Sequence, residues 1–222
     1  MRIDTETLRE MAAMLPPEDR DEMAIPSYLH KNPALRWMAW RRIEVMAQLI
    51  AKHCPHGGRV LDFGCGTGML FEAELARANE VIGVDLVLKA AELWTAKKKL
   101  GGVRLLAPDV AMREVADATV NVVVAAEVLE HIDEPTETLA FFRRVLRHDG
   151  CLLVSLPTEN AAYRFGRRLA GFSGHYHEHD AKAIDKRIQD HGFRLDQSSF
   201  IPMRGPLAIY FVGVYRPVGS GA

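Results

Sequence analysis

The sequence predicts an α/β fold: a mostly parallel sheet with helices on both faces, preceded by a helical N-terminal segment. From Arg59 onward, short apolar runs alternate with amphipathic helical segments, which is typical of repeated β-α units. The run VNVVVAA at 120–126 is nearly continuous in valine, as strands buried on both faces are. Before residue 59, apolar side chains recur at helical spacing instead.

The apolar pattern assigns the elements in chain order. N-terminal helices are expected over 4–15, where Pro16-Pro17 ends the first, and over 34–53, where CPHGG ends the second. The predicted strands are RVLDF (59–63), EVIGVD (80–85), GGVRLLA (101–107), VNVVVAA (120–126), GCLLVSLP (150–157), FRLDQSSF (193–200) and LAIYFVGVY (207–215). The predicted helices between them cover 68–78, 88–100, 134–147 and 180–191. We therefore expect a helical cap over 1–58 and an α/β domain over 59–222, with a lid insertion near 159–179.

Composition excludes several classes of protein. The 222 residues carry a formal net charge of −1, so nothing in the overall charge indicates a nucleic-acid partner. Three widely spaced cysteines, Cys54, Cys65 and Cys151, indicate a reducing compartment, and we expect a cytoplasmic protein. No apolar run reaches the length of about 18 residues that a transmembrane helix needs.

The stretch VLDFGCGTGM at 60–69 places three glycines directly after a predicted strand. Glycine adopts positive φ, and its missing Cβ lets a ligand approach the backbone closely. The dinucleotide fingerprint is G-x-G-x-x-G, whereas here the third glycine, Gly68, comes one residue early. A phosphate-binding P-loop is excluded because no Gly-Lys-Ser/Thr follows.

Acidic residues follow the next strands at the same edge of the predicted sheet. Asp85 ends the second strand, where a carboxylate accepts hydrogen bonds from both hydroxyls of a ribose. Asp109 follows the third strand, and Glu127 and His131 follow the fourth. The alternative is purely structural, with a glycine turn and an Asp85 that caps a helix.

Together these motifs resemble the class I S-adenosylmethionine-dependent methyltransferases. VLDFGCGTG, VIGVDL, APDV, VNVVVAAEVLEHI and LRHDGCLLVSLP match the family's motifs in order and in spacing, and the resemblance covers about residues 36–215. It implies a Rossmann-like sheet of seven strands with the last one antiparallel, and S-adenosylmethionine as the cofactor. AAEVLEHIDEP is especially similar to the small-molecule branch that includes ubiquinone-type O-methyltransferases.

The resemblance also implies roles for individual residues. The cofactor-binding set would be Asp62, Gly64, Gly66, Gly68, Asp85, Leu86, Asp109, Val110 and Glu127. The glycines would let the methionine part lie against the backbone, with Asp62 below the loop. Asp85 would bind the ribose and Leu86 the adenine. Asp109 would accept from the adenine amino group with Val110 beside the ring, while Glu127 and His131 would lie near the sulfonium.

Three alternating histidines in SGHYHEHD are the candidate catalytic residues. In an extended segment, His175, His177 and His179 project to one side, and histidine is the side chain most easily poised as a base near neutral pH. His131 is a weaker candidate for the same role. Two alternatives stay open: a solvated loop whose Asp180 caps the next helix, and a zinc or iron site. We expect no metal.

Two segments are candidates for the substrate pocket. SYLHKNPALRW contributes Tyr28 and His30, and the family resemblance implies a segment that closes the active site. ENAAYRFGRRLAGFSG contributes Tyr163 and has the pattern of a short basic amphipathic lid. Such a lid suits an acidic or membrane-derived substrate, or is simply solvated over the core.

The leading functional hypothesis is methylation of a small molecule, first at a hydroxyl or phenol oxygen and second at a nitrogen. A nucleotide-cofactor oxidoreductase or epimerase is the alternative enzyme, and the early third glycine argues against it. A non-catalytic methyltransferase-like binding module is the third hypothesis, and the acids at 85 and 109 argue against that. The sequence leaves a homodimer open.

Overall fold

The computed structural model describes residues 2–158 and 181–219. The helices in these ranges are α1 (Thr5–Met14), α2 (Pro17–Glu22), α3 (Ile25–Tyr28), α4 (Pro33–His53), α5 (Phe71–Leu75), α6 (Lys89–Lys98), α7 (Pro108–Glu114), α8 (Thr136–Val145) and α9 (Ala181–Asp190). The strands are β1 (Gly58–Phe63), β2 (Ala78–Val84), β3 (Val103–Leu106), β4 (Val120–Ala126), β5 (Leu146–Pro157), β6 (Phe193–Ile201) and β7 (Tyr210–Pro217). All seven predicted strands are present.

The strands follow the order β3-β2-β1-β4-β5-β7-β6, a sheet of seven among the described residues. Strand β2 pairs in parallel with both β1 and β3, and β4 pairs in parallel with β5. Strand β7 runs antiparallel to both β5 and β6. The predicted Rossmann-like, mostly parallel sheet with an antiparallel last strand is confirmed.

The chain divides into two compact units, 1–113 and 114–222. In the first unit, side-chain caps explain where the long helices begin. Asp4 accepts a hydrogen bond from the Thr7 N–H at 2.8 Å at the start of α1. Asn32 does the same for the Ala34 N–H at 2.9 Å, and Pro33 occupies the first turn of α4, where its missing donor costs nothing.

The first unit differs from the predicted elements in three places. The polar stretch between the two predicted N-terminal helices folds into the short helices α2 and α3. The helix after the glycine loop covers Phe71–Leu75 and not 68–78, because Gly68 at φ 73° is still part of the turn. Helix α7 after β3 was not predicted, and Pro108 is its first residue.

The second unit has its core on β4 and β5. Val122, Val123 and Val124 of β4 have no exposed surface, as the valine run predicted. Strand β4 continues beside β5 with Ala126 opposite Ser155. This register brings the carboxyl ends of the two strands to one level, so residues that follow β4 lie beside the end of β5.

No helix of the described ranges is long and apolar enough to cross a bilayer. Cys54, Cys65 and Cys151 are all buried and carry free thiols.

Candidate cofactor site

The glycine loop connects β1 to α5 and has the backbone that its sequence predicts. Gly64, Gly66 and Gly68 all have positive φ, at 77°, 50° and 73°. At Gly68 the loop is also tightly packed, because an added Cβ would lie 2.5 Å from Cε2 of Phe71. Phe71 is fully buried and its ring cannot easily move away. The third glycine is therefore required both by its φ and by the ring below it.

We expect Gly68→Ala to destabilise the protein and to weaken cofactor binding. An alanine in the left-handed backbone conformation and an overpacked contact together lower the free energy of unfolding by about 2–4 kcal/mol. The melting temperature should therefore fall by several degrees. Gly101→Ala is the matched control, because its Cβ would meet no atom within 4 Å. Thermal melting of both variants checks this result. A Gly68→Ala protein that melts like the wild type would contradict the packing argument.

The Asp85 carboxylate joins the glycine loop to the end of β2. Its Oδ2 accepts a hydrogen bond from the Gly66 N–H at 2.7 Å. Its Oδ1 accepts one from the Val87 N–H at 3.1 Å. Asp85 is half-buried, and a carboxylate has more acceptor sites than the two that these N–H groups use. The same carboxylate thus orders the loop and offers an acceptor beside it.

Two further acids of the predicted site differ sharply in exposure. Asp62 of β1 is 3% exposed, and burial together with the charge of Asp85 raises the pKa of its carboxyl to about 8. Asp109 lies on the surface in the first turn of α7, where it pairs with Arg113 at 2.9 Å. Its hydrogen bond from Arg113 lowers the pKa of the Asp109 carboxyl. Asp109 therefore stays ionised near neutral pH.

Apolar surface is exposed directly after Asp85. Leu86 is 86% exposed, which is unusual for a leucine and gives a flat ring a surface to pack on. Val110, the second apolar residue predicted beside the adenine, is half-buried next to Asp109. Both positions agree with the predicted contacts to a base, which remain predictions.

The N-terminal segment touches the glycine loop through a residue that the sequence did not indicate. Cγ of Met23 lies 3.6 Å from the position of a Cβ at Gly66.

Tyr28 is 4% exposed, and its hydroxyl accepts a hydrogen bond from Arg42 at 2.6 Å. His30 is half-exposed, and its Nδ1 accepts from the Asn32 N–H at 3.0 Å. Of the two predicted substrate residues that the structure describes, His30 is half-exposed and Tyr28 is buried.

In the second unit, Glu127 is held at the carboxyl end of β4. Its backbone has φ 58°, which is strained for a residue with a side chain. Its N–H donates to the Ser155 carbonyl at 2.9 Å, and its Oε1 accepts from the Ser155 hydroxyl at 3.0 Å. His131 is exposed in the 3₁₀ turn Leu129–His131 that follows. Sequence reasoning missed Ser155, because only the pairing of β4 with β5 brings it to Glu127.

Several predicted residues lie outside the described residues: Tyr163, His175, His177 and His179. The predictions for these side chains remain open. Among the described residues, no group of three or more His, Cys, Asp or Glu side chains is arranged to hold a metal ion.

Comparison with known proteins identifies the family. The methyltransferase domain family matches residues 35–198, which is most of the chain. The chain therefore belongs to the class I S-adenosylmethionine-dependent methyltransferases. Within this family, it is 29% identical over 177 residues to a probable S-adenosylmethionine-dependent methyltransferase of Mycolicibacterium smegmatis, which covers 80% of this chain and 65% of the relative.

A second relative and one solved structure are also similar to this chain. It is 30% identical over 113 residues to the ubiquinone biosynthesis O-methyltransferase of Paracidovorax citrulli, covering 47% of this chain and 46% of the relative. The 1,6-didemethyltoxoflavin-N1-methyltransferase of Burkholderia thailandensis, solved with S-adenosylhomocysteine, has a TM-score of 0.63 at 20% identity and covers 98% of this chain and 94% of its own. That similarity shows the fold. The chain spans about half to two thirds of the length of these curated relatives.

The residues of the first unit fit S-adenosylmethionine. The left-handed glycine loop admits an amino-acid tail close to the backbone, and the Asp85 carboxylate beside it suits a ribose diol. The exposed Leu86 directly follows that carboxylate and suits the adenine.

Proposed function

We propose that this protein transfers a methyl group from S-adenosylmethionine to a small-molecule acceptor. The acceptor atom that we favour is a hydroxyl or phenol oxygen, with a nitrogen as the second choice. Family membership and the Asp85 carboxylate on the glycine loop support the cofactor half of this proposal. The partial match to ubiquinone O-methyltransferases supports the acceptor half.

In this proposal the cofactor binds across the first unit. The loop of Gly64, Gly66 and Gly68 takes the methionine part, Asp85 takes the ribose hydroxyls, and Leu86 packs on the adenine. Asp109 and Val110 complete the adenine site. Asp62 lies below the glycine loop and orients it. When bound, the cofactor supplies an electrophilic methyl group on a sulfonium.

The protein then has two tasks on the acceptor side. The first is alignment of the acceptor atom with the methyl carbon and the sulfur, which contributes up to about 7–11 kcal/mol in favourable cases. The second is removal of a proton when the acceptor is a hydroxyl. We assign this proton transfer to His175, His177 or His179, and His131 is the weaker candidate for the same role. Glu127, whose Oε1 accepts a hydrogen bond from the Ser155 hydroxyl, stays a proposed cofactor contact, and Tyr28, His30 and Tyr163 stay the proposed acceptor residues.

Incubation with S-adenosylmethionine and a panel of phenols, catechols and amines tests the proposal. The expected result is an acceptor whose mass increases by one CH₂ unit, together with equimolar S-adenosylhomocysteine. Methylation of amines alone would contradict the proposal that the acceptor atom is an oxygen. The panel should include metabolites made by enzymes that are encoded near the gene. Cofactor binding without methylation of any compound in this panel would favour the binding-module hypothesis.

A further inference from the structure

Met23 is a half-buried residue that rests on the glycine loop. Its Cγ lies 3.6 Å and its Cβ 4.0 Å from the position that a Cβ would occupy at Gly66, the middle glycine of the loop. These are ordinary van der Waals separations. Of the described residues outside the loop, Met23 alone comes within 4 Å of this position. The bare backbone at Gly66 therefore has one side-chain neighbour, and that neighbour is a methionine.

The chain on both sides of Met23 is held in place. The Met23 N–H donates to the Asp19 carbonyl at 3.0 Å, which ends α2. Helix α3 follows two residues later and is fixed to α4, because Ile25 is 1% exposed and the buried Tyr28 hydroxyl accepts from Arg42 at 2.6 Å. The contact between Met23 and the loop is thus made by an ordered part of the N-terminal segment.

Ala24, the residue after Met23, has a left-handed backbone with φ 53° and ψ 20°. An alanine is strained in this conformation, which glycine adopts without cost. Strained residues persist only where the surrounding structure holds them, and they cluster at binding sites. The turn at Ala24 joins α2 to α3, so its conformation determines where Met23 stands relative to the anchored helix α3.

We propose that Met23 is a specificity-determining residue of the cofactor site, whose side chain forms a wall against the amino-acid part of the ligand at Gly66. A ligand chain that lies against the Gly66 backbone must pass beside Met23, because the two residues are in contact. The flexible, polarizable thioether chain of methionine packs well against an aliphatic chain. Ala24 is the positioning residue that holds Met23 there. This inference rests on the proposed cofactor site and is independent of the acceptor.

Calorimetric titration with two ligands measures the contribution of Met23. S-Adenosylhomocysteine and 5′-methylthioadenosine share the nucleoside and the thioether, and only the first has the amino-acid part. Met23→Ala should bind S-adenosylhomocysteine roughly 4- to 15-fold more weakly, because about one to two methylene-sized contacts are lost. Its affinity for 5′-methylthioadenosine should stay within about twofold of the wild type, because that ligand has no chain to place at Gly66.

Two further variants control the alanine result. Met23→Leu keeps the volume and the apolar character, so its affinity for S-adenosylhomocysteine should stay within about threefold. Met14→Ala removes a methionine that is 45% exposed at the end of α1 and should leave both affinities unchanged. Both ligands are titrated into the same preparation, so a loss of folded protein lowers both stoichiometries and leaves the ratio of the dissociation constants intact.

Substitutions at Ala24 test the positioning role. A β-branched residue is strongly disfavoured at positive φ, so Ala24→Val should displace Met23 and lower the affinity for S-adenosylhomocysteine about as much as Met23→Ala does. Ala24→Gly adopts the same turn freely and should keep the affinity. The double variant Met23→Ala/Ala24→Val should bind no more weakly than Met23→Ala, because Ala24 acts through Met23.

Four results would overturn the inference. Unchanged affinity in Met23→Ala would remove this residue from the site, and tighter binding would show that its side chain obstructs the ligand. An equal loss for both ligands would show that Met23 only supports the loop. Additive losses in the double variant would contradict the role of Ala24. Absence of binding heat from S-adenosylhomocysteine in the wild type would instead contradict the cofactor site itself, so the two failures are distinguishable.

Discussion

Replacement of the proposed catalytic histidine in HYHEH by alanine is expected to lower kcat about 10²- to 10⁴-fold, because this is the usual effect of removing a general base. His175→Ala, His177→Ala and His179→Ala should each be measured for rate and for cofactor affinity. The catalytic variant should lose rate and keep its affinity for S-adenosylmethionine. The loss of kcat in this variant should become smaller at high pH, because a phenol acceptor ionises there without a base.

The controls for this experiment distinguish three interpretations of the segment. His148→Ala changes an exposed histidine outside the proposed site and should keep full activity. A metal site predicts that all three variants fail together and that a chelator inactivates the wild type. Full activity in all three variants would contradict the base assignment, and catalysis would then rest on alignment or on Glu127, His131 or His30.

Asp85→Ala is expected to weaken binding of S-adenosylmethionine roughly 10- to 150-fold. The loss corresponds to a charge-assisted hydrogen bond, about 1.5–3 kcal/mol, to the ribose hydroxyls. The Gly66 and Val87 N–H groups also lose their acceptor, so a modest fall in melting temperature should accompany the loss of affinity. Calorimetry and thermal melting of the same preparation measure both effects.

Two variants control the Asp85 result. Asp85→Asn keeps an acceptor oxygen for the loop and loses the charge, so its affinity should lie between those of the wild type and the alanine variant. Asp149→Ala removes an exposed carboxylate 3.5 Å from Arg147, and such surface pairs contribute little. Unchanged affinity in Asp85→Ala would remove this residue from the site. A collapsed fold would show instead that Asp85 is structural.

The parts of the fold that sequence predicted best are those that local chemistry determines. The valine run predicts β4 residue for residue, since a strand buried on both faces admits few other side chains. The positive φ of Gly64, Gly66 and Gly68 follows from residue type and from the strand before them. The acid at the end of β2 was also correctly placed beside that loop.

The features that sequence reasoning missed depend on contacts distant in the chain. Helices α2 and α3 arise in a polar stretch with no apolar period, and they bring Met23 onto Gly66. Ser155 reaches Glu127 only through the register of β4 and β5. The complete burial of Glu74 in α5 was also not predicted, because it depends on how that short helix packs.

Direct measurement of cofactor binding tests the central claim. Calorimetric titration of the purified protein with S-adenosylmethionine, S-adenosylhomocysteine and NAD, under one set of conditions, compares the two classes of cofactor. The account predicts saturable heat at about one ligand per chain for the first two, with dissociation constants about micromolar, and no heat for NAD. Heat with NAD and none with either S-adenosyl compound would contradict it.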